Sequence, residues 1–260
     1  MKKILMIGPG RDVRGGISTV VNSYYELGIE KDTEIKYIPT MEDGSQIKKL
    51  IVAVKAYMEF GGCVKKYDIV HVHMAAQASF VRKSLFVQKA KKAGVKVIIH
   101  SHAADFDKYF FEESDDKNRK KIKETFALAD KVIVLSEEWA DFFGKNVCDP
   151  AKIKIIYNGV ILPQKNKTSY DDHNILMLGR LGERKGTYDL LKAIPMVLRE
   201  VPDAMFYLGG DGDIEGCKAI AANEGIQDHI KFLGWIKGTE KKNLLDKCSV
   251  FTLPSYYEGM

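Results

Sequence analysis

The sequence predicts an α/β protein made of two Rossmann-like, doubly wound parallel-sheet domains. Short apolar runs alternate with helix-spaced segments along the whole chain. Several of those runs end in glycine-bearing turns, and the alternation pauses once, near residue 160, before it resumes.

The first strand, Lys3 to Ile7, leads into Gly8-Pro9-Gly10-Arg11-Asp12-Val13-Arg14-Gly15-Gly16-Ile17. A dinucleotide fingerprint needs its third glycine where Val13 stands, so nicotinamide binding is not supported. Gly15 and Gly16 directly precede helical spacing at Ile17, Val20, Val21 and Tyr24. Two readings fit them: amides at a helix N-terminus that meet an anion, or a turn that only needs positive φ.

Glu34 to Ile38 reads as the second strand. Between Gln46 and Lys66, Ile47, Leu50, Ile51, Val54, Tyr57 and Met58 follow helical spacing, while Lys48, Lys49 and Lys55 fall elsewhere on the wheel. Ile69 to His73 is a strand, and Arg82, Lys83, Lys89, Lys91 and Lys92 form a second basic segment. Such basic helices either present a solvated face while packing on a sheet, or lie on anionic lipid. Further strands are expected at Val95 to His100, Lys131 to Leu135 and Ile153 to Tyr157, with Glu112 to Glu124 as a charged loop leading into a helix.

Around Asn158-Gly159-Val160 the rhythm stops, and Leu162 to Asp172 is polar with Pro163 inside it. The domain boundary is placed there, giving residues 1–160 and 161–260. The second series has strands at Asn174 to Leu178, Ala204 to Leu208, Ile230 to Leu233 and Val250 to Leu253. The last residues, Phe251 to Met260, form a strand and a loop entry, so the second domain is expected to be incomplete.

Composition narrows the function classes. A net charge of +5, with 45% hydrophobic and 29% charged residues, is ordinary for a globular protein. No apolar run approaches the roughly 18 residues of a membrane span, and Met1-Lys2-Lys3 runs into a strand rather than a signal peptide. A cytoplasmic location is expected. Cys63, Cys148, Cys217 and Cys248 are scattered without a Cys-x-x-Cys pair, which argues against a zinc knot or disulfide framework. No interleaving of aromatic and basic residues of the single-strand-binding kind is present, so nucleic acid is not expected as a partner.

Two clusters invite chemistry. Arg180 and Lys185 stand in the loop Gly179 to Gly186 beyond an apolar strand, where a ligand reaches a parallel sheet. A forked donor and a point charge suit a diphosphate, and an ordinary charged surface loop is the other reading. His71 and His73 close one strand, and His100 with His102 the next. A zinc or iron site would use such pairs, yet beyond Asp105 and Asp107 no carboxylate-rich or cysteine partner set accompanies them. His102, followed by a segment from Ala103 to Phe111 read as irregular, is the better placed to touch a substrate hydroxyl.

These motifs together resemble the retaining, nucleotide-sugar-dependent glycosyltransferases of the GT-B fold, in particular the bacterial group called family 4. The resemblance rests on Gly15-Gly16-Ile17, His102, Tyr157-Asn158-Gly159-Val160, the Gly179 to Gly186 loop, Gly209-Gly210-Asp211-Gly212, Phe232-Leu233-Gly234-Trp235 and Pro254 to Met260, in that order. It implies an acceptor domain followed by a donor domain that face a cleft. Arg180 and Lys185 would bind the donor diphosphate, with Gly15, Gly16 and Gly210 near it. Gly234 and Trp235 would lie against the base, Glu258 would approach the donor sugar, and His102 would contact donor sugar or acceptor. The familiar His-Gly is here His102-Ala103.

The implied activity is transfer of a hexose or related sugar from a nucleotide-diphosphate-sugar to a cell-envelope glycan or lipid-linked acceptor. No metal and no other cofactor is implied, and the basic helices add an anionic membrane surface as partner. A nucleotide-sugar-binding but inactive fragment or partner subunit is the alternative.

Overall fold

The computed structural model describes residues 1–160 and 172–259. They group into two compact units, residues 1–160 and 172–258. The polar stretch expected between the domains lies outside the described residues except for Asp172.

In the first unit, β1 (Lys2–Gly8), α1 (Gly16–Glu26), β2 (Thr33–Pro39), α2 (Gln46–Cys63), β3 (Ile69–Met74) and α3 (Gln77–Lys92) follow one another. Then come β4 (Lys96–Ser101), α4 (Phe106–Phe111), α5 (Asp116–Ala127), β5 (Lys131–Val134), α6 (Glu137–Asn146) and β6 (Ile153–Ile155). The six strands form one sheet in the order β2-β1-β3-β4-β5-β6. Every pairing is parallel, from Lys2 opposite Thr33 to Val134 opposite Ile155. The chain moves outward from β1 to β2 and then returns past β1 to β3, a reversal that defines the doubly wound sheet.

Alternation along β3 and β4 divides the core. Val70, Val72 and Met74, with Val97 and Ile99, join one apolar cluster with Phe60, Phe80, Phe86, Phe106, Phe126 and Phe143. His71, His73 and His100 take the alternate positions of the same strands.

Four local expectations are corrected. Ala103 to Phe111 is mostly the helix α4, because Phe106, Tyr109 and Phe110 have helical spacing and are buried together. Glu112 to Glu124 is mostly α5, which starts where the Asp115 carboxylate accepts from the Asn118 amide at 2.7 Å. The strands expected at Ile153 to Tyr157 and Val250 to Leu253 end early, at Ile155 and Phe251. Helix α2 packs inward through Ala56 and Phe60, with Tyr57 partly buried against the same cluster, while Ile47, Leu50 and Met58 are exposed.

The second unit has β7 (Asn174–Leu178), α7 (Thr187–Glu200), β8 (Met205–Gly209), α8 (Ile214–Asn223), β9 (Ile230–Gly234), α9 (Gly238–Lys247) and β10 (Val250–Phe251). Its parallel sheet runs β10-β7-β8-β9. Met177, Leu191, Ile194, Phe206, Leu208 and Cys217 centre its core. All strands of this sheet therefore deliver their carboxyl ends to one edge.

Candidate functional site

That edge gathers the glycine-rich turns. β7 ends at Leu178, and the Gly179 amide donates to the Gly209 carbonyl at 2.9 Å. The Leu181 amide donates to Asp211 at 2.7 Å, and the Gly210 amide donates to the Gly234 carbonyl at 2.7 Å. Turns far apart in sequence are thus laced by backbone bonds, and Gly210 permits it. Its φ is +152°, and a Cβ there would fall 1.7 Å from the Gly179 carbonyl oxygen.

Beyond Gly182 the chain makes one short turn over Glu183–Lys185 and enters α7. The Thr187 hydroxyl accepts from the Gly182 amide at 3.0 Å and fixes the loop. Lys185 is drawn inward, with its side chain 12% exposed, and its ammonium forms an ion pair with the Glu258 carboxylate. Burial pushes the Glu258 carboxyl up, but hydrogen bonding and charge from Lys185, with added charge from Arg184, outweigh it and hold the group below its usual range. The Arg184 carbonyl accepts from the Tyr256 amide at 3.0 Å, and the Tyr256 hydroxyl donates to Asp189 at 2.8 Å. The 254–258 segment is therefore strapped to the basic loop from several sides.

Arg180 is exposed, its stem beside Gly212, and it forms no ion pair among the described residues. An exposed guanidinium in the same loop as a largely covered ammonium can hold phosphate oxygens. The structure thus brings together Arg180, Lys185, Gly210 and Glu258 on one edge of the second unit. Gly234, with φ of +66°, and Trp235, 40% exposed, stand at the end of the adjoining strand β9.

Gly15, Gly16 and His102 belong to the first unit. Gly15 is the N-cap of α1 with φ of +154°, and a Cβ on either glycine would meet nothing within 4 Å. The approach to these amides is open. The His102 amide donates to the Met74 carbonyl at 2.8 Å, which sets its ring beside His73, where Nε2 lies 2.9 Å from His73 Nδ1.

The four histidines form one stack. His100 and His102 have centroids 4.0 Å apart, His71 and His73 4.4 Å, and the planes of His71 and His100 differ by 6°. Burial lowers the pKa of His71 to about 4 and of His102 to about 3, with neighbouring charges adding to the shift at His102, so both rings are neutral at pH 7. His71, His73 and His100 present ligand atoms within 4.8 Å of one another. That spacing would let the three rings hold a metal ion, while the rings of His71 and His100 lie nearly parallel with centroids 5.5 Å apart.

Sequence reasoning missed three participants. Lys83 sits on the inward face of α3 between Phe80 and Val87, is 2% exposed, and its ammonium donates to Ser79 at 3.1 Å. Its spacing from Phe80 and Val87 was the available signal. Arg184 and Thr187 act through tertiary contacts that no local pattern marks.

Comparison with known proteins agrees with this architecture. Residues 26–162 match the model of Glycosyltransferase Family 4, and residues 161–260 that of Glycosyl transferases group 1. An Escherichia coli UDP-Gal:alpha-D-GlcNAc-diphosphoundecaprenol alpha-1,3-galactosyltransferase is 28% identical over 219 residues, covering 75% of this chain and 54% of that protein. A component of the Arabidopsis thaliana phosphatidylinositol N-acetylglucosaminyltransferase is 26% identical, covering 75% of this chain and 44% of that protein. The chain spans about half the length of these curated relatives. The Anabaena protein Alr3699/HepE, solved with UDP and glucose, superposes with a TM-score of 0.67 at 14% identity, covering 98% of this chain and 74% of that one. The fold is thus that of the GT-B glycosyltransferases, and with one family model matching more than half of its 260 residues the chain belongs to glycosyltransferase family 4.

Proposed function

We propose that this chain is a retaining glycosyltransferase, which moves a hexose or related sugar from a nucleotide-diphosphate-sugar to a cell-envelope glycan or lipid-linked acceptor. The observation that carries the reading is the paired Lys185 and Glu258 beside exposed Arg180, on the sheet edge where four strands end. Residues 1–160 would form the acceptor domain and 161–260 the donor domain.

In this reading the donor diphosphate enters between Arg180 and Lys185, and Lys185 exchanges part of its Glu258 contact for phosphate oxygen. Gly210 lets the loops close up, Gly15 and Gly16 offer amides to the diphosphate, and Gly234 with Trp235 bounds the base. Glu258 approaches the sugar, and His102, neutral at pH 7, contacts sugar or acceptor. The bond from the anomeric carbon to the diphosphate oxygen breaks while the acceptor oxygen bonds to the same face. The acceptor proton passes to the departing phosphate. Fixed cations stabilise the charge that develops on the leaving group, so no divalent metal takes part.

UDP-sugars are the first donors to test, because the names of the Escherichia coli relative and the Anabaena structure carry UDP. Relatives acting on diphosphoundecaprenol and phosphatidylinositol point to a phosphate-bearing lipid acceptor and a peripheral position on the cytoplasmic membrane face.

The test is donor turnover by the whole protein after Arg180→Ala or Lys185→Ala. A fall of at least about 100-fold is expected for loss of a leaving-group contact. Turnover within a few-fold of wild type would remove the phosphate role. Activity abolished by chelators would overturn metal independence, and nucleotide-sugar binding without any turnover would favour a binding subunit.

A further inference from the structure

Helix α2 has two apolar faces, and the fold uses one. Ala56 and Phe60 turn toward the core, with the Phe60 ring 5.1 Å from Phe86 of α3. Ile47, Leu50, Ile51, Val54 and Met58 lie on the opposite side in an arc of roughly 100° and are 74, 65, 48, 51 and 66% exposed. Exposed single apolar residues are common, but five on one continuous stripe of one helix are not. Neighbouring α3 extends the patch with Val81 and Leu85, 48 and 47% exposed. Lys89 of α3 lies 4.0 Å over the Tyr57 ring of α2, joining the two helices.

Charge identifies what covers the patch. Helix α2 carries Lys48, Lys49 and Lys55 against one acid of its own, Glu59, which is bound to Lys36 at 2.7 Å, and Lys48 is bound to Glu42 of the preceding loop at 3.2 Å. Helix α3 carries no acid; of its cations Lys83 is buried and Lys91 is bound to Asp130 at 3.0 Å, which leaves Arg82, Lys89 and Lys92 to the surface. On the wheel Lys48 and Lys55 border the stripe, which places cations at its rim. The five exposed residues are aliphatic with one methionine, and Tyr57 at their edge is half-buried beneath Lys89, so the exposed stripe holds no Trp, Tyr or Arg of the kind that anchors protein interfaces. No helix is long and apolar enough among the described residues to cross a membrane. An apolar strip bordered by lysines, on a helix that does not span, suits the boundary between headgroups and acyl chains of an anionic bilayer.

We infer that α2, with the adjoining face of α3, is the surface by which this protein seats itself on anionic lipid, with Ile47, Leu50, Ile51, Val54 and Met58 entering the acyl boundary. The inference rests on the lipid-linked acceptor reading for its purpose, but membrane binding is tested without transfer. Seating the acceptor domain this way would confine the search for a lipid-borne acceptor to the plane of the membrane.

The experiment is co-sedimentation of the full chain with vesicles of phosphatidylcholine alone or with about 30% phosphatidylglycerol. Wild type is expected to partition onto the anionic vesicles and much less onto the neutral ones. Ile51→Glu with Met58→Glu should weaken partition at least tenfold, and Lys48→Gln with Lys55→Gln several-fold, with a smaller response to about 0.5 M salt. Both pairs are at exposed positions, and an unchanged circular dichroism spectrum and Tm verify folding. Absence of partition in low salt, or Glu variants that bind like wild type, would overturn the inference. So would a concentration-dependent dimer abolished by the Glu variants, since a second copy would then be the occupant. Vesicle binding that fails while sugar transfer to a soluble acceptor persists would remove the docking surface alone. Binding that persists without any transfer would remove the enzymatic reading alone.

Discussion

The histidine stack makes the first unit sensitive to mild acid. His71 titrates at about 4 and His102 at about 3 in the fold, because burial disfavours the imidazolium, and charges nearby reinforce this at His102. Both would titrate near 6.5 in the unfolded chain. Their folded pKa values are depressed, so below pH 6.5 the unfolded state takes up protons that the native state refuses. Stability is therefore level above about pH 7, falls as pH drops from about 6.5 toward 4, and levels off for His71 below its folded value. At pH 5 each of the two rings contributes a loss of about 2 kcal/mol, together about 4 kcal/mol against a typical total of roughly 5–15. His73 and His100 shift in the same direction, so this is a lower figure for the stack. Urea unfolding at about pH 8, about pH 6 and about pH 5 reads the effect, with Trp139 reporting the first unit in a Trp235→Phe background, since the chain has 2 tryptophans. Equal stability at pH 8 and pH 5, or a His71→Gln, His102→Gln variant that keeps the full wild-type slope, would refute the reasoning.

Other perturbations follow from single contacts. Lys83, buried with its pKa lowered to about 7 by desolvation and then by Arg82, loses its solvation for one hydroxyl contact. Lys83→Met is expected to stabilise the first unit by about 2–4 kcal/mol at pH 7, a gain that shrinks as pH rises toward the unfolded value near 10.5. A denaturation series between those pH values decides it. Phe143→Ala removes a fully buried ring whose centroid lies 4.8 Å from Phe106 and 5.2 Å from Phe126. A loss of about 3–5 kcal/mol is expected, read from the Trp139 transition. Gly210→Ala would drive a Cβ into the Gly179 carbonyl. The loops must then part, lowering the stability of the second unit by at least about 2 kcal/mol and weakening nucleotide affinity, measured by the Trp235 transition and by calorimetry.

Much of this was legible because buried parallel strands are short apolar runs. Asn174 to Leu178 stands where it was expected, and the other strands begin within a residue of expectation. The glycine turns were legible too, since few other residues fit where backbone crosses backbone. The segment Ala103 to Phe111 was misread because its aspartates and its short length hide the spacing of Phe106, Tyr109 and Phe110. The bond between Lys185 and Glu258 joins residues 73 positions apart, and no local pattern encodes such a pair.

The sequence by itself determined the alternation of strand and helix, the glycine turns at strand ends and the basic loop at Arg180 and Lys185, because these depend on local period and backbone freedom. The tertiary structure alone decided that Glu258 faces Lys185, that four imidazoles stack where β3 and β4 run side by side, and which apolar face of α2 turns inward. Helical spacing marks an apolar face without saying what it meets. The core took Ala56 and Phe60, and the five residues on the other side were left to the solvent.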